Sequence, residues 1–342
     1  MNEFSKVAET LRNRPRTWLV TGAAGFIGSH LLETLLSLDQ SVIALDNFST
    51  GKPENLEAVR TRLQPAQWAR CRIIEGDVAD AATCAAACQG VDYVLHHAAL
   101  GSVPRSLAEP RASHRANVTG FLELLEAARH AGVKRVVYAS SSSVYGDAPE
   151  LPKREDRIGR PLSPYAATKW MNEIYADTWG RVYGLECIGL RYFNVFGPRQ
   201  DPQGPYAAVI PRWMDALWHG RPVTVYGDGE TSRDFCYVAN VVQANLLAAT
   251  TDRAEAVHQV YNIAVGERTS LNELYHLLVV GLRRWRPDLN PPSPVYEPFR
   301  PGDVRHSQAD ISKARRLLGY DPPYRLAEGL ELTWQWFHDR GD

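Results

Sequence analysis

Thr17-Trp18-Leu19-Val20-Thr21-Gly22-Ala23-Ala24-Gly25-Phe26-Ile27-Gly28 is the stretch that decides the fold. A short β-favouring run leads directly into three spaced glycines, and an apolar helical stretch over 26–38 follows. A glycine-rich turn between a strand and a helix gathers unpaired backbone N–H groups and the positive end of the helix dipole at one point. Gly22 permits the tight turn, Gly25 lets a pyrophosphate approach the backbone, and Gly28 lets the helix lie close on the strand. With Phe26 and Ile27 opening the helix, the stretch reads as a dinucleotide cradle.

Outward from that turn, β-rich runs recur at 41–46, 72–75, 93–96, 135–140 and 185–191. Helical patterns lie between them, at 117–131 with Leu122, Leu125 and Ala128 on one face, and at 165–183. This alternation implies βαβ units and an α/β fold: a Rossmann-type, doubly wound parallel sheet with ligands at the carboxyl ends of its strands. Beyond about residue 195 Pro and Gly become frequent, which marks a smaller C-terminal substrate-binding lobe. The expected organisation is a leader over 1–16, a dinucleotide-binding domain over 17–195 with later core segments near 234–265, and a lobe over 196–342 interleaved with that core. The polar leader reads as poorly ordered chain or a short helix ahead of the first strand.

Composition narrows the function classes. The 342 residues are 44% hydrophobic and 23% charged, with a formal net charge of −1. There is no basic excess of the kind that marks nucleic-acid or membrane-surface binders. The sequence has no apolar run of about 18 residues and no secretory-type N-terminal stretch. Five scattered cysteines without a Cys-x-x-Cys pair read as reduced thiols, and the protein is expected to be cytoplasmic. His96 and His97 are adjacent at a strand end, so they point to opposite faces, and no metal is expected.

Asp46 ends the second strand about 20 residues beyond the glycines, where an acid accepts hydrogen bonds from a ribose. A carboxylate there repels a 2′-phosphate, so the cofactor is expected to be NAD; Arg60 and Arg62 lie too far on to argue for NADP. Asp77 and Val78 end the third strand, placed to meet an adenine. Ala98 and Ala99 end the fourth and let a flat cofactor lie on the backbone. Ser140 to Ser143 follow the fifth strand, and Tyr165 and Lys169 stand four apart on one helical face. A nearby ammonium and a cationic nicotinamide both favour the phenolate, so the Tyr165 pKa is expected to fall. A serine steers the proton of a reacting alcohol to Tyr165; Ser142 is the first choice, with Ser141 and Ser143 as alternatives. Lys169 is also placed to bind the nicotinamide ribose.

Together these residues resemble the extended short-chain dehydrogenase/reductase superfamily, over nearly the whole chain after residue 16. The segments Arg191 to Gly197, Arg233-Asp234-Phe235 and Arg300-Pro301-Gly302-Asp303 are similar to its cofactor bridge and nucleotide-sugar segments. Gly101 to Ser106, Tyr206 to Pro211 and Asp303 to Ser307 are most similar to UDP-N-acetylglucosamine 4-epimerases of bacterial polysaccharide pathways. The resemblance implies that NAD also meets Asn47, Phe48, Ser49, Gly51, Asn117, Tyr192 and Val195. It implies a UDP-sugar site at Ser102, Val103, Asn194, Ala208, Val209, Val225, Tyr226, Arg233, Arg300, Asp303 and Ser307, the small Ser307 leaving room for an N-acetyl group. It implies reversible C4 epimerisation of UDP-N-acetylglucosamine to UDP-N-acetylgalactosamine through a 4-keto sugar with NAD retained, with UDP-glucose/UDP-galactose and the uronic acids left open as further substrates. It also implies a homodimer, with Phe121, Leu124, Trp170, Ile174 and Trp179 as apolar candidates for the interface. Three alternatives stay open: a 4,6-dehydratase, disfavoured because Ser142-Ser143 stand where that reaction uses an Asp-Glu pair; a decarboxylase; and a non-catalytic NAD sensor, against which Tyr165 and Lys169 argue.

Overall fold

Strand β1 (Thr17–Thr21) is buried from Trp18 onward and lies inside a seven-stranded sheet. The computed structural model describes residues 3–203, 207–299 and 304–339. The other strands are β2 (Ser41–Asp46), β3 (Cys71–Glu75), β4 (Tyr93–His96), β5 (Arg135–Ser141), β6 (Glu186–Tyr192) and β7 (Gln259–Ile263). Their order is β7-β6-β5-β4-β1-β2-β3, and every pairing is parallel. The chain winds outward from β1 to β3, then crosses back to β4 and winds the other way. That reversal opens a crevice between β1 and β4 at their carboxyl ends.

Alternate strand residues feed the two faces, as the two-residue period of a strand requires. Trp18, Val20, Val42, Ala44, Leu95 and Val137 pack with α1 (Phe26–Ser37) on one face. Leu19, Ile43, Leu45, Val94 and Val136 pack on the other with α2 (Gly120–His130) and the far half of α3 (Pro164–Tyr183). The lobe holds α4 (Val209–Trp218), while α5 (Val238–Thr250) returns to the sheet and packs under β5 and β6. Helices α6 (Leu271–Trp285) and α7 (Leu326–Asp339) close the lobe around Trp213, Met214, Leu274, Leu278 and Trp334.

The differences from the sequence reading have local causes. A wide π turn, Arg115–Thr119, precedes α2, so the expected single helix over 117–131 is broken at its start. The turn carries Asn117, whose amide side chain holds the backbone of Leu100 from both sides, N–H at 2.8 Å and C=O at 3.1 Å. The buried face of α2 is Phe121, Leu124, Leu125 and Ala128, with Leu122 half-buried beside it. Phe121 and Leu124 are fully buried inside the protomer, which removes them as interface candidates. The leader forms a helix, Glu3–Asn13, anchored by Leu11 and by Gln40, whose amide donates to Leu11 O at 2.9 Å and accepts from Arg16 N–H at 2.9 Å. Among the described residues no helix is long and apolar enough to cross a membrane.

Two glycines are forced by packing. Gly22 sits at φ +67°, and a Cβ there would lie 2.8 Å from the Ala98 nitrogen. A Cβ on Gly28 would lie 2.0 Å from the Gly22 carbonyl oxygen, because α1 leaves the turn directly over the strand end. Gly28→Ala is therefore expected to cost about 1–3 kcal/mol by overpacking, measured as a lowered urea midpoint with an unchanged slope.

Candidate active site

Two cavities open along the carboxyl ends of the strands, and Val195 lies on the wall of both. The first, about 440 Å³, runs from the glycine turn to α3. At one end the first residues of α1 face it. Gly25 is the N-cap in an extended conformation with no side-chain acceptor, so the amides of the first turn keep their donor capacity for an anion. Asp46 stands beside them. Its Oδ2 accepts from Ala24 N–H at 2.9 Å and its Oδ1 from Phe48 N–H at 2.8 Å, which fixes the carboxylate while each oxygen keeps a second lone pair. Asn47, Ser49 and Gly51 complete that end, and Asp77 and Val78 form the wall after β3. Asp77 is set by Ala79 N–H at 2.9 Å.

The middle of the cavity is lined by His97, Ala98, Ala99 and Tyr192. Thr21 Oγ1 receives the amides of His97 and Ala98 at 3.2 and 3.1 Å, which pins the chain after β4 to the end of β1. His97 Nε2 meets the Tyr192 hydroxyl at 2.8 Å, and burial drives its pKa down to about 3, so the imidazole is neutral.

At the other end stand Ser141, Tyr165 and Lys169. Helix α3 begins at Pro164, capped by Ser163, whose hydroxyl accepts from Ala166 N–H at 3.1 Å. The Tyr165 amide donates to Ser106 Oγ at 3.0 Å. Lys169 is buried and donates to Ala139 O at 2.8 Å. Burial pulls its ammonium down to about 8. Burial also raises the Tyr165 phenol above its ordinary value, and a hydrogen bond from Ser141 offsets part of that rise. Desolvation is the chain's own largest influence on the phenol, and the Lys169 ammonium is turned to a backbone carbonyl; the expected fall includes the charge of a bound nicotinamide. The serine facing the phenol is Ser141. Ser142 starts a tight 3-10 turn, Ser142–Tyr145, and lies off the cavity wall. Ser143 supports Ser141, its amide and hydroxyl donating to Ser141 Oγ at 3.1 and 2.9 Å, which leaves the Ser141 proton free for Tyr165.

The second cavity, about 550 Å³, lies in the lobe. Asn194, Ala208, Val209, Tyr226 and Arg233 line it as expected sites, and Phe196, Arg212, Thr231, Phe299 and Arg305 line it unforeseen. Arg305 is held by Asp228 at 2.6 Å and lies 5.2 Å over the Phe299 ring. Arg233 donates to the carbonyls of Ser232 and Arg305 at 2.9 and 3.3 Å. Several expected residues lie off both walls. Val225 is buried in the lobe core, Phe48 packs on the main core, and Asn117 is buried and spent on Leu100. Ser102 caps the short helix Val103–Ala108, and Ser307 is tied through its N–H to Ser232 O at 3.0 Å. Arg300 and Asp303, like Tyr206, lie outside the described residues.

Comparison with known proteins gives consistent matches. The profile of the NAD dependent epimerase/dehydratase family matches residues 18–264. A UDP-glucose 4-epimerase of Mycolicibacterium smegmatis is 38% identical over 94% of this chain and 98% of its own. The structure of a UDP-N-acetylglucosamine 4-epimerase from Methanobrevibacter ruminantium, in complex with UDP-N-acetylmuramic acid, is similar at TM-score 0.86 and 39% identity, over 95% of this chain and 99% of that one. A UDP-glucose 4-epimerase of Thermus thermophilus in complex with NAD is similar at TM-score 0.80 and 34% identity, over 95% of this chain and 99% of that one.

Replacing Asp46 tests the ribose end of the first cavity. Asp46→Ala is expected to lower the NAD content of purified protein at least tenfold, roughly the loss of one charge-assisted hydrogen bond. Dinucleotide released on denaturation is the measurement, and an unchanged content contradicts the assignment.

Proposed function

The chain belongs to the NAD dependent epimerase/dehydratase family, and we propose that it interconverts UDP-N-acetylglucosamine and UDP-N-acetylgalactosamine by reversible oxidation at C4. The observation that carries this reading is the Ser141–Tyr165–Lys169 group at the end of a dinucleotide cavity, joined at Val195 to a second cavity bearing arginines.

NAD fits the first cavity: the uncapped start of α1 suits its pyrophosphate, Asp46 its ribose, and the small Ala98 and Ala99 its flat ring. Bound NAD supplies a hydride acceptor that becomes a hydride donor, and in its oxidised form a positive charge near the phenol. The chain's residues do the rest. Tyr165 Oη takes the O4 proton as the C4–H bond breaks, and gives it back when the bond re-forms on the other face. Ser141 Oγ aligns the O4 hydroxyl with the phenol. Lys169 holds the ribose and the strand end. Arg233 and Arg305 offer guanidinium forks to the diphosphate, so the sugar turns while its nucleotide stays anchored. Beside Asn194 the wall is made of Ala207, Ala208 and Val209, whose small side chains leave room for an acetamido group in either orientation. The similarity to a UDP-N-acetylglucosamine 4-epimerase is in keeping with an acetylated substrate, and UDP-glucose 4-epimerases are similar to the chain to the same degree.

The expected result is that purified protein, without added cofactor, brings UDP-N-acetylglucosamine and UDP-N-acetylgalactosamine to equilibrium by NMR with no net NADH. Failure on both sugars, with bound NAD present, defeats this substrate assignment. Tyr165→Phe is expected to lower turnover by about 10²–10⁴. Ser141→Ala is expected to cost at least about tenfold and Ser142→Ala much less; the reverse ranking would return the relay to Ser142.

We also read the protein as a homodimer. Trp170, Met171, Ile174, Val182 and Tyr183 of α3 are exposed apolar residues, Ile174 at 51% and Val182 at 64%. A second copy packed by symmetry covers such a face. Ile174→Glu is expected to shift the sedimentation mass toward that of one 38.2 kDa chain; a wild-type protein that already sediments as a monomer removes the dimer.

A further inference from the structure

Two turns beyond Tyr165 on α3, and one beyond Lys169, Glu173 is buried. Its carboxylate takes both arms of the Arg191 guanidinium, Nε to Oε1 at 2.9 Å and Nη2 to Oε2 at 2.8 Å. Its Oε1 also accepts the Ser140 hydroxyl at 2.5 Å. Ser140 is the neighbour of Ser141, and Arg191 is the neighbour of Tyr192, which lines the dinucleotide cavity. One carboxylate therefore joins the catalytic helix to the ends of β5 and β6. The pair is braced outward as well. Arg191 Nη1 donates to Glu155 O at 3.1 Å and its guanidinium lies 4.8 Å over the Tyr145 ring, while Tyr145 donates to Asn262 on β7 at 2.6 Å.

A buried ion pair is a poor way to gain stability, since apolar side chains of like volume hold two elements as firmly. What apolar contacts cannot do is grip the Ser140 hydroxyl, set one length between α3 and β5, and place two opposite charges that cancel beneath the phenol. We propose that Glu173 and Arg191 are positioning residues of the active site: together they fix Ser141 against Tyr165 and keep the net charge behind the phenol at zero. This rests on the reading of Tyr165 as the proton-transferring group.

The charge part is directional. Eight residues of helix separate Glu173 from Tyr165, about 12 Å of rise. At an effective dielectric of about 20, one uncancelled charge at that distance moves a phenol by about one pH unit. Other charged or titratable groups around the pair are Tyr138 from β5, Tyr145 from the 3-10 turn, and Glu155 and Lys313 from the segments over β7; Cys187 from β6 and Asp177 on α3 act on Tyr138, and Lys169 lies one helical turn from Glu173. His96 and His97, near Lys169, are neutral through burial. None of these is altered in the test.

The variants are Glu173→Gln, Arg191→Met and the two combined, in NAD-loaded protein. Two readouts are taken: the acid limb of the kcat–pH profile, and the near-ultraviolet phenolate titration of each variant against the same variant carrying Tyr165→Phe. Glu173→Gln leaves Arg191 uncancelled, so the phenol is expected to titrate about one unit lower. Arg191→Met leaves Glu173 uncancelled, so it is expected to titrate about one unit higher. The double variant is expected to return to the wild-type position, with kcat still at least about tenfold low because the two-armed tie between α3 and β6 is lost, while the amide oxygen at 173 still accepts the Ser140 hydroxyl, and KM within about twofold. If Arg191→Met does not fold, the double variant, which buries no lone charge, and Glu173→Gln complete the comparison. Shifts in the same direction, no shift, or a wild-type kcat in the double variant overturn the proposal. A wild-type protein that epimerises no UDP-sugar but shows the opposed titrations defeats the function and spares the pair; normal turnover with an unmoved phenol does the reverse.

Discussion

The ammonium of Lys169 donates to the carbonyl of Ala139, and this bond fixes where helix α3 meets the carboxyl end of β5. A Tyr and a Lys four residues apart share a helical face in any helix; they make a site only if the first turn of that helix sits over a strand end. Here the first turn is fixed from three sides. Ser163 caps it, Ser106 receives the Tyr165 amide, and Lys169 holds the strand. Ser106 belongs to the short helix Val103–Ala108, which follows Leu100, which is held in turn by Asn117. The π turn before α2 thus reaches the phenol through two hydrogen-bonded steps.

Burial acts on Tyr165 and Lys169 in opposite senses. It raises the phenol, whose charged form is an anion, and lowers the ammonium, whose charged form is a cation. Each shift favours the neutral form of its group, so the chain alone stores the proton on Tyr165. On the reading of Tyr165 as the proton-transferring group, a bound cation would oppose the desolvation that burial imposes on the phenol.

The glycine turn, Asp46 and the Tyr–Lys pair are legible in the sequence because their chemistry is local: a turn, a strand end and one helical face. The strands β1 to β6 and the long helix fall within a residue of the bounds read from sequence, since buried parallel strands are written as short β-branched and aromatic runs. The seventh strand, Gln259–Ile263, carries polar residues at two of its positions and is legible only as a late core segment. Ser141, not Ser142, faces the phenol because β5 runs one residue further than its hydrophobic pattern, and the register of a strand end decides which serine meets the helix. The depth of burial that raises the phenol in the chain alone is hidden from the sequence, which shows only the nearby charge. Arg305, Thr231 and Phe299 line the second cavity from segments far apart in the chain, and no local spacing marks such a wall.

Val195 stands between the two cavities, and its strand neighbour Phe196 pairs with Tyr237 from the lobe side. The chain passes from the sheet into the lobe at this point, directly from β6, so the two cavities rest on different hydrophobic clusters, one of the sheet and one of the lobe. For a reaction that must expose both faces of one carbon, that separation matters more than tight hold on the sugar. Each hydroxyl gripped by the wall would have to be released for the ring to turn, at about 1 kcal/mol or more per bond left unpaired. Ala207, Ala208 and Val209 offer shape with little polarity there, while the arginines concentrate polar binding on the far end of the ligand. On this reading the affinity is placed where the substrate does not move, and the sugar pocket is kept permissive so that the proton and hydride geometry at Tyr165 selects the reacting carbon.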